Sequence, residues 1–577
     1  MDSRSAAHVL TQIGALLQVK GEQKFKARAY AGAARSLIAL DTDDLAPLLR
    51  SGELADTPGI GPATLSVVRE LVETGESSYL NQLREGLPEG LLELFRVPGL
   101  NAARIQVIHD ALGVQTLEDL ERVAQNGQLA ELPKFGKKTA EKILRGIEIL
   151  RRDAHLKRFP AAAIEAHLLL ANIVKHPDIA QAEVAGSIRR HNEVVGDIDI
   201  VAECSADPAK VAASFARSPG VAESKTREDP GSVHIRFVDG THLDMHCVGK
   251  EDYPVALWRA TGSSAHVAEM NVFARNSGFE IAGNSLIGKG GKSVVLKDEG
   301  AFFAALDLEP IPPEMREGMG EIEAAARREL PDLVTYDDLR GVLHCHSDYS
   351  DGTATIEEMA NAAQERGWDY IGISDHSESA FYAGGLKRDK LLRQQEEIDR
   401  LNAEMKGFRI LKGIEADILA DGRLDYDAEI LDGFDYVVGS IHSRFSMDGD
   451  AMTKRVLAAL DDPHLTILAH PTGRLLLTRE PYPINIEAVL EKAAQVGVAV
   501  ELNADPHRLD LDWRYCRQAK ELGVTIEIGP DAHSTAALDN VHFGIGMARK
   551  AWLEAGEILN TRSAEDVLAF ARKRRSK

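Results

Sequence analysis

Apolar residues recur every three to four positions from Ala6 to Val19 and again from Ala27 to Leu40, where Arg28 and Arg35 interrupt an alanine-rich run. That spacing predicts two amphipathic helices, and short helical stretches punctuated by glycine continue to about residue 155. Over 156–309 the pattern shortens to strand-like runs, Asp197–Val201, Val233–Phe237 and His242–Val248. Glu309-Pro310-Ile311-Pro312-Pro313 breaks the pattern, a charged helix is expected over Glu317–Leu330, and 310–338 reads as an interdomain linker. From 339 to 577 short apolar strands alternate with helical segments. They lie near Gly341–His344, Tyr370–Ser374, Ile410–Glu415, Tyr436–His442, Thr466–His470, Ala499–Asn503 and Thr525–Gly529. Seven such units predict a parallel barrel.

At 577 residues the chain has room for several domains, and 44% hydrophobic with 27% charged residues excludes global disorder. No apolar run is long enough to span a bilayer. The first twenty residues carry Asp2, Arg4 and Lys20 without a signal-peptide core, so a cytoplasmic protein is expected. Four widely spaced cysteines with no CxxC argue against a disulfide framework or a cysteine zinc site. The net charge of −23 weighs against a polyanionic partner only until its distribution is read: residues 1–160 hold 21 basic and 21 acidic side chains, and the acid excess lies beyond them. Carboxylates that hold cations would reverse the local field, so nucleic acid is compatible with local basic patches and metal.

Thr57-Pro58-Gly59-Ile60-Gly61 sits between helical stretches, Val97-Pro98-Gly99-Leu100-Asn101 repeats it, and Leu132-Pro133-Lys134-Phe135-Gly136-Lys137 is a looser third copy. Such hairpins turn backbone N–H groups outward at a helix start, where they bind phosphate without reading a base. Gly59, Gly61, Gly99, Gly136 and Lys137 are therefore candidate DNA contacts.

Further on stands Gly186-Ser187-Ile188-Arg189-Arg190, followed by Gly196-Asp197-Ile198-Asp199-Ile200. On a strand Asp197 and Asp199 project to one face while Ile198 and Ile200 enter the core. Two adjacent carboxylates repel unless a cation sits between them, and Mg²⁺ or Mn²⁺ is the natural partner. Asp244 is a candidate third carboxylate from a neighbouring strand. Gly186 and Ser187 can offer N–H groups to a triphosphate, and Arg190 a bidentate contact.

Gly-Ser, a basic pair and Asp-x-Asp together resemble the nucleotidyltransferase superfamily. With the hairpins, with Lys20-Gly21-Glu22 and Phe25–Tyr30, and with Thr261-Gly262-Ser263 and Gly278-Phe279, they resemble the family X DNA polymerases, the DNA polymerase beta group. The resemblance implies that Asp197, Asp199 and Asp244 hold two catalytic metals, and that Gly186, Ser187, Arg190, Gly196, Thr261 and Gly262 contact the incoming nucleotide. The sequence departs from the pattern in places. Arg259 and Ala260 replace the aromatic pair before Thr-Gly, with Trp258 one residue earlier. Val267 and Asn271 stand where asparagine and arginine are usual. Val67 replaces the Schiff-base lysine, so no lyase activity is expected through it.

The C-terminal third carries the densest signal. His344 and His346 follow the first strand with Asp351 close behind. Asp375-His376 ends the second strand, Glu415 the third, His442 the fourth and His470 the fifth, and Asp531 and His533 follow the last. A parallel barrel gathers its functional residues just beyond its strands. Imidazole with carboxylate suits Zn²⁺, Mn²⁺ or Fe²⁺. The set resembles the PHP (polymerase and histidinol phosphatase) domain, a distorted seven-stranded barrel. The resemblance implies a trinuclear centre: His344, His346, Glu415 and Asp531 at one metal, Glu415, His442 and His470 at the second, and Asp351, His376 and His533 at the third. The chemistry implied is phosphoester hydrolysis, and Arg474 and Arg508 are candidate phosphate contacts.

The expected architecture is thus multidomain, α+β and α/β: a helical DNA-binding domain with helix-hairpin-helix (1–84), a second of fingers type (85–155), a nucleotidyltransferase palm (156–250), a thumb (251–309), the linker (310–338) and the PHP barrel (339–577). The leading reading is a gap-filling DNA polymerase with a 3′-5′ exonuclease, acting on gapped, nicked or 3′-blocked DNA with dNTPs, as a monomer without membrane contact. Apurinic/apyrimidinic endonuclease activity is a further implication. A nuclease with a weakened polymerase core and a non-catalytic DNA-end scaffold remain as alternatives.

Overall fold

The helical spacing at the start of the chain yields helices Ser3–Val19 and Lys24–Leu40, whose Leu10, Ile13, Leu16 and Leu17 share one core with Ala27, Tyr30, Ala33 and Leu37. The computed structural model describes residues 3–19, 24–40, 45–57, 59–75, 77–84, 94, 97, 100, 102–133, 135–153, 156–227, 229 and 231–575. They fall into two units, Met1–Ala154 and His155–Lys577. A second core in the first unit gathers Ile105, Ile108, Leu120, Leu129, Ile143 and Ile147 from helices Ala102–Leu112, Leu117–Gln125, Gln128–Glu131 and Gly136–Asp153, with Phe135 just before the last of them. No helix among the described residues is long and apolar enough to cross a membrane.

The second unit begins with a five-stranded sheet in the order Ile179–Val184, Ile198–Cys204, His242–Val248, Ser232–Phe237, Val221–Thr226. Only the pair Ile198–Cys204 and His242–Val248 is parallel, and it sets Asp199 opposite Asp244. Alternation does what the sequence predicts: Ile198 and Ile200 are buried on one face while Asp197 and Asp199 point outward.

Helices Tyr253–Thr261, Ser264–Asn276 and Glu299–Ala305 then pack around Trp258, Met270, Phe302 and Phe303. The stretch 310–338, expected as a linker, completes this core with Ile311, Met315, Ile322, Ala325 and Leu333. Many of its charges face solvent, but Glu314, Arg316 and Glu321 are buried and paired. Arg316 lies 2.5 Å from Glu299, and Glu321 lies 2.7 Å from His266.

The barrel has the expected seven strand positions: Gly341–Val342, Tyr370–Ile373, a third split into Arg409–Lys412 and Glu415–Asp417, Val437–Ser440, Leu465–Leu468, Ala499–Asn503 and Ile526–Gly529. All neighbours pair in parallel. The ring closes beyond the strand ends, where His346 N–H donates to Ala532 O at 2.8 Å and Ala532 N–H to His344 O at 3.2 Å. Leu343, Tyr370, Leu411, Tyr436, Val438 and Ile467 form one cluster with Ala564, Val567, Leu568 and Ala571 of helix Ala564–Arg575. Polar residues therefore collect at the opposite, C-terminal end of the strands.

Candidate metal centres

In the sheet, Asp197 and Asp199 flank Ile198 and Asp244 faces Asp199 across the parallel pair. Burial, then the neighbouring Asp199 and Asp244, push the Asp197 carboxyl above its ordinary pKa. Asp244 behaves oppositely. Burial works against its charge, but Arg227 Nη2 donates to Oδ2 at 2.5 Å and His234 Nδ1 lies 2.9 Å from Oδ1, and these partners hold its pKa down. A negatively charged cluster partly balanced by borrowed cations fits a divalent ion.

Gly186 has φ +61°, and a Cβ there would lie 1.8 Å from Asp199 Oδ2. Glycine is what lets the Asp199 carboxylate rest against the Gly-Ser turn. Ser187 Oγ is buried without a hydrogen-bond partner. Gly196 lines a small cleft with Asp197 and Lys157. Thr261 and Gly262 end the helix Tyr253–Thr261, and Thr261 is fully buried.

Arg190, expected on a phosphate, is engaged elsewhere: Nε donates to Glu317 at 3.0 Å and Nη1 to Thr261 O at 2.7 Å. Arg189 likewise holds Thr261 Oγ1 and both oxygens of Glu299. The basic pair therefore pins the Thr261–Gly262 turn to the sheet. Trp258 is wholly buried, with Nε1–H donating to His266 Nε2 at 3.0 Å, so it does not replace the missing aromatic pair. Val267 packs at the edge of the thumb core, and Asn271 Nδ2 donates to Val267 O.

In the first unit Gly59 (φ +89°) and Gly61 are exposed just before helix Pro62–Thr74, but Gly61 N–H already donates to Thr64 Oγ1 at 2.9 Å. Gly136 and Lys137 are exposed at the start of helix Gly136–Asp153. Gly99 lies outside the described residues. Val67 is a buried core residue, consistent with its lack of an amine role.

At the barrel mouth all nine candidate ligands converge. Three overlapping groups have ligand atoms within 4.8 Å of one another: His346, Asp351, His376 and His533; His344, His346 and Asp531; and His376, Glu415 and His442. Glu415 bridges them, lying 3.6 Å from His344 Nε2, 3.4 Å from His442 Nε2, 3.1 Å from His470 Nε2 and 2.8 Å from His376 Nδ1.

The donor set fits metal. His344 Nε2 and both ring nitrogens of His346 are buried without a hydrogen-bond partner. Burial, helped by neighbouring cations, lowers His346 and His470 to about 3, leaving neutral imidazoles with lone pairs to give. His533 shows the converse: burial opposes its charge, yet Asp351 and Asp531 lift it to about 9, so a proton sits where the carboxylates call for a cation.

Arg508 reaches this centre, with Nε 3.3 Å from Asp531 Oδ2. Arg474 does not serve as its companion. Its guanidinium is committed to the carbonyls of Arg508 and Leu509 and to Asp512, as a buried brace of that loop.

Several contributors escaped the sequence reading. Glu501 accepts from His344 Nδ1 at 2.5 Å and from His470 N at 2.6 Å, and Asp417 lies 2.7 Å from His442 Nδ1, so each carboxylate fixes a candidate ligand imidazole. Asp375 ties Ser347, Ser350 and Gln394 beneath the Asp351 loop. His234 had a usable signal, since it stands opposite Asp244 in the antiparallel register. Arg227 had none.

A helix-hairpin-helix domain family matches residues 1–77, a SAM-like helix-hairpin-helix tandem 91–148, the DNA polymerase beta thumb 256–317 and the PHP domain 343–505. DNA polymerase/3′-5′ exonuclease PolX of Bacillus subtilis (strain 168) is 37% identical over 583 residues, covering 99% of this chain and 100% of that protein. A probable phosphatase of Caldanaerobacter subterraneus subsp. tengcongensis is 32% identical over 196 residues, 31% of this chain and 70% of its own length. Another, of Thermoanaerobacter sp. (strain X514), is 29% identical over 236 residues, 38% and 89% respectively. Given a relative matched from end to end and the thumb and PHP families in sequence, the chain belongs to the family X DNA polymerases that carry a C-terminal PHP domain.

Proposed function

We propose that this chain fills short gaps in DNA by adding nucleotides to a primer 3′-OH, and that its PHP centre removes nucleotides or blocking groups from 3′ ends. The observation that carries the reading is the joint presence, in one folded unit, of the facing Asp199–Asp244 pair with Asp197 beside it and the nine-ligand centre at the barrel mouth.

Both centres depend on divalent metal, with Mg²⁺ or Mn²⁺ assigned to Asp197, Asp199 and Asp244, and Mn²⁺, Zn²⁺ or Fe²⁺ to the histidine set. Bound there, such ions supply Lewis-acid polarisation of the phosphoryl group. The protein's own residues do the rest. The Gly186–Ser187 turn receives the triphosphate, with Ser187 Oγ free to donate. Asp244 takes the primer hydroxyl proton, and because Arg227 and His234 hold it ionised, that step requires their hydrogen bonds to loosen. At the barrel, Glu501 and Asp417 keep His344 and His442 aimed, and Arg508 contacts the phosphate. The exposed hairpins at Gly59–Gly61 and Gly136–Lys137 follow the DNA backbone. We assign the protein to the nucleoid as a monomer.

A second reading, a nuclease with a weakened polymerase, draws support from Arg189 and Arg190 being committed to protein partners. One experiment separates the two: a labelled primer on a one-nucleotide gap, in Mn²⁺, with and without dNTPs, using wild type, an Asp197→Ala/Asp199→Ala double variant and His344→Ala. We expect extension to vanish only in the first variant and shortening only in the second. Shortening without extension by wild type would favour the second reading, and neither activity would refute both.

A further inference from the structure

Between ligand His376 and the buried Leu386 the chain makes a short excursion, Ser377–Gly385, at the lip of the barrel centre. It carries Phe381, 86% exposed, and Tyr382, 62% exposed; among the described residues no large apolar side chain is more exposed than Phe381. The segment is firmly held. Ser379 N–H donates to Asp425 Oδ2 at 3.0 Å, Ala383 and Gly385 N–H donate to Ala380 O at 2.9 and 3.1 Å, and Leu386 N–H donates to His376 O at 2.8 Å. Ala380, Ala383 and Leu386 are buried beneath it. Gly385 lies so close to Ser377 that a Cβ would meet its carbonyl oxygen at 2.0 Å. A single exposed aromatic needs no explanation. Two on an anchored turn beside a metal centre do, because the anchoring fixes their outward orientation.

The rings continue the site. Tyr382 lies 6.4 Å from the His376 ring and 6.2 Å from the His442 ring, centroid to centroid, and Phe381 meets Tyr382 edge-on at 6.1 Å. That is within a nucleotide's reach of a phosphate held among the ligands. Lys387 and Arg388, both exposed, follow at once, Arg388 with Nη2 3.1 Å from Glu429 Oε1, in a domain otherwise rich in acid. Aromatic faces next to basic side chains are what a single strand of nucleic acid recognises: the bases stack and the phosphates pair.

We propose that Phe381 and Tyr382 form a stacking platform that holds the terminal base of a DNA 3′ end beside the PHP centre. This rests on the exonuclease reading above.

The test compares wild type, Phe381→Ala/Tyr382→Ala and Phe381→Trp on single-stranded oligonucleotides ending in a normal nucleotide or in an abasic tetrahydrofuran. Stacking worth about 1–3 kcal/mol per base corresponds to a preference for the normal end of about 5- to 150-fold in kcat/KM. We expect that preference in wild type and in Phe381→Trp, and its collapse towards unity in the double alanine variant. A 3′-terminal 2-aminopurine, titrated without metal, should be quenched by wild type and not by the double variant, a readout independent of turnover. Loss of quenching with an intact preference, or a preference unchanged in the alanine variant, overturns the proposal. Degradation of neither substrate by wild type would instead refute the exonuclease reading on which it rests.

Discussion

Replacing Gly186 by alanine should abolish polymerisation while sparing the rest of the chain. The new Cβ would sit 1.8 Å from Asp199 Oδ2 and 2.6 Å from its Cγ, where ordinary contact begins near 3.4 Å. The Asp199 carboxylate must therefore retreat by about 1.6 Å, against a tolerance of about 0.2 Å for a metal ligand. Misplacement of a reacting group by about 1 Å costs on the order of 100-fold. The left-handed backbone at φ +61° adds about 1–2 kcal/mol of strain, too little to unfold a unit of this size. The assay is single-turnover extension on a one-nucleotide gap, with 3′ shortening on the same preparation as an internal control of folding. Extension should fall by at least about 100-fold. Shortening should stay within about twofold, since the barrel centre is built from other residues. Extension retained within about fivefold, with the protein folded, would show that Asp199 does not act from the place it occupies against this turn.

Other perturbations separate the two halves in different ways. Glu501→Gln keeps the shape but removes the charge that orients His344, so metal retained after dialysis against a weak chelator should drop, with affinity lower by about 10- to 100-fold, while extension persists; wild-type metal content in the variant would deny Glu501 that role. Lys550→Met removes a buried cation that bonds Asn192 Oδ1, Arg190 O and Glu317 and should cost about 3 kcal/mol in urea unfolding together with a raised KM for dNTP; an unchanged midpoint would show the contact to be idle. Burial, then Glu501, push Glu527 up to about 8 from an ordinary 4.5, so between those pH values the folded chain keeps a proton the unfolded chain has released, and stability falls as pH rises, by up to about 1.4 kcal/mol per unit. Glu527→Gln in EDTA should therefore gain on wild type between pH 6 and 8 in thermal unfolding, and parallel pH profiles would contradict the assignment.

What the sequence could disclose depended on whether a residue's partner was local. The barrel ligands follow strand ends and the Asp-x-Asp pair alternates on one strand, so periodicity alone groups them. Asp199 with Asp244 needed only the inference of neighbouring strands. The partners that decide charge are far away in sequence: Glu501 meets His344 across 157 residues, and Lys550 meets Asn192 across 358. Arg316 and Glu321 misled in the same way. In a Pro- and Gly-rich stretch they resemble a solvated linker, and only the fold reveals that Glu299 and His266 await them. Arg190 and Arg474 have distant partners of the same kind. A free guanidinium beside a glycine-rich turn reads as a phosphate ligand, until Glu317 and the Arg508–Leu509 carbonyls are seen to claim it.

These long-range partners also bear on why the two chemistries share a chain. The loop that follows the Gly-Ser turn, Arg190–Glu193, is gripped from the barrel side. Lys550 bonds Arg190 O and Asn192, Arg474 and Arg514 lie 3.8 and 3.7 Å from Glu193, and Phe159, stacked on His191 at 4.8 Å, meets Phe543 edge-on. Gly546 leaves room for the His191 ring, since a Cβ there would lie 2.3 Å from Nδ1. These contacts set cationic partners against a half-buried loop, and removing the partner of a buried charge such as Lys550 costs more than the contact itself contributes. The helix Val541–Lys550 is thus part of the foundation of the loop after the Gly-Ser turn as well as of the barrel. The sheet that carries Asp197, Asp199 and Asp244 and the barrel belong to one folded unit, His155–Lys577. A change that loosens the barrel wall therefore reaches the polymerase through Lys550 and Gly546, without touching a single metal ligand.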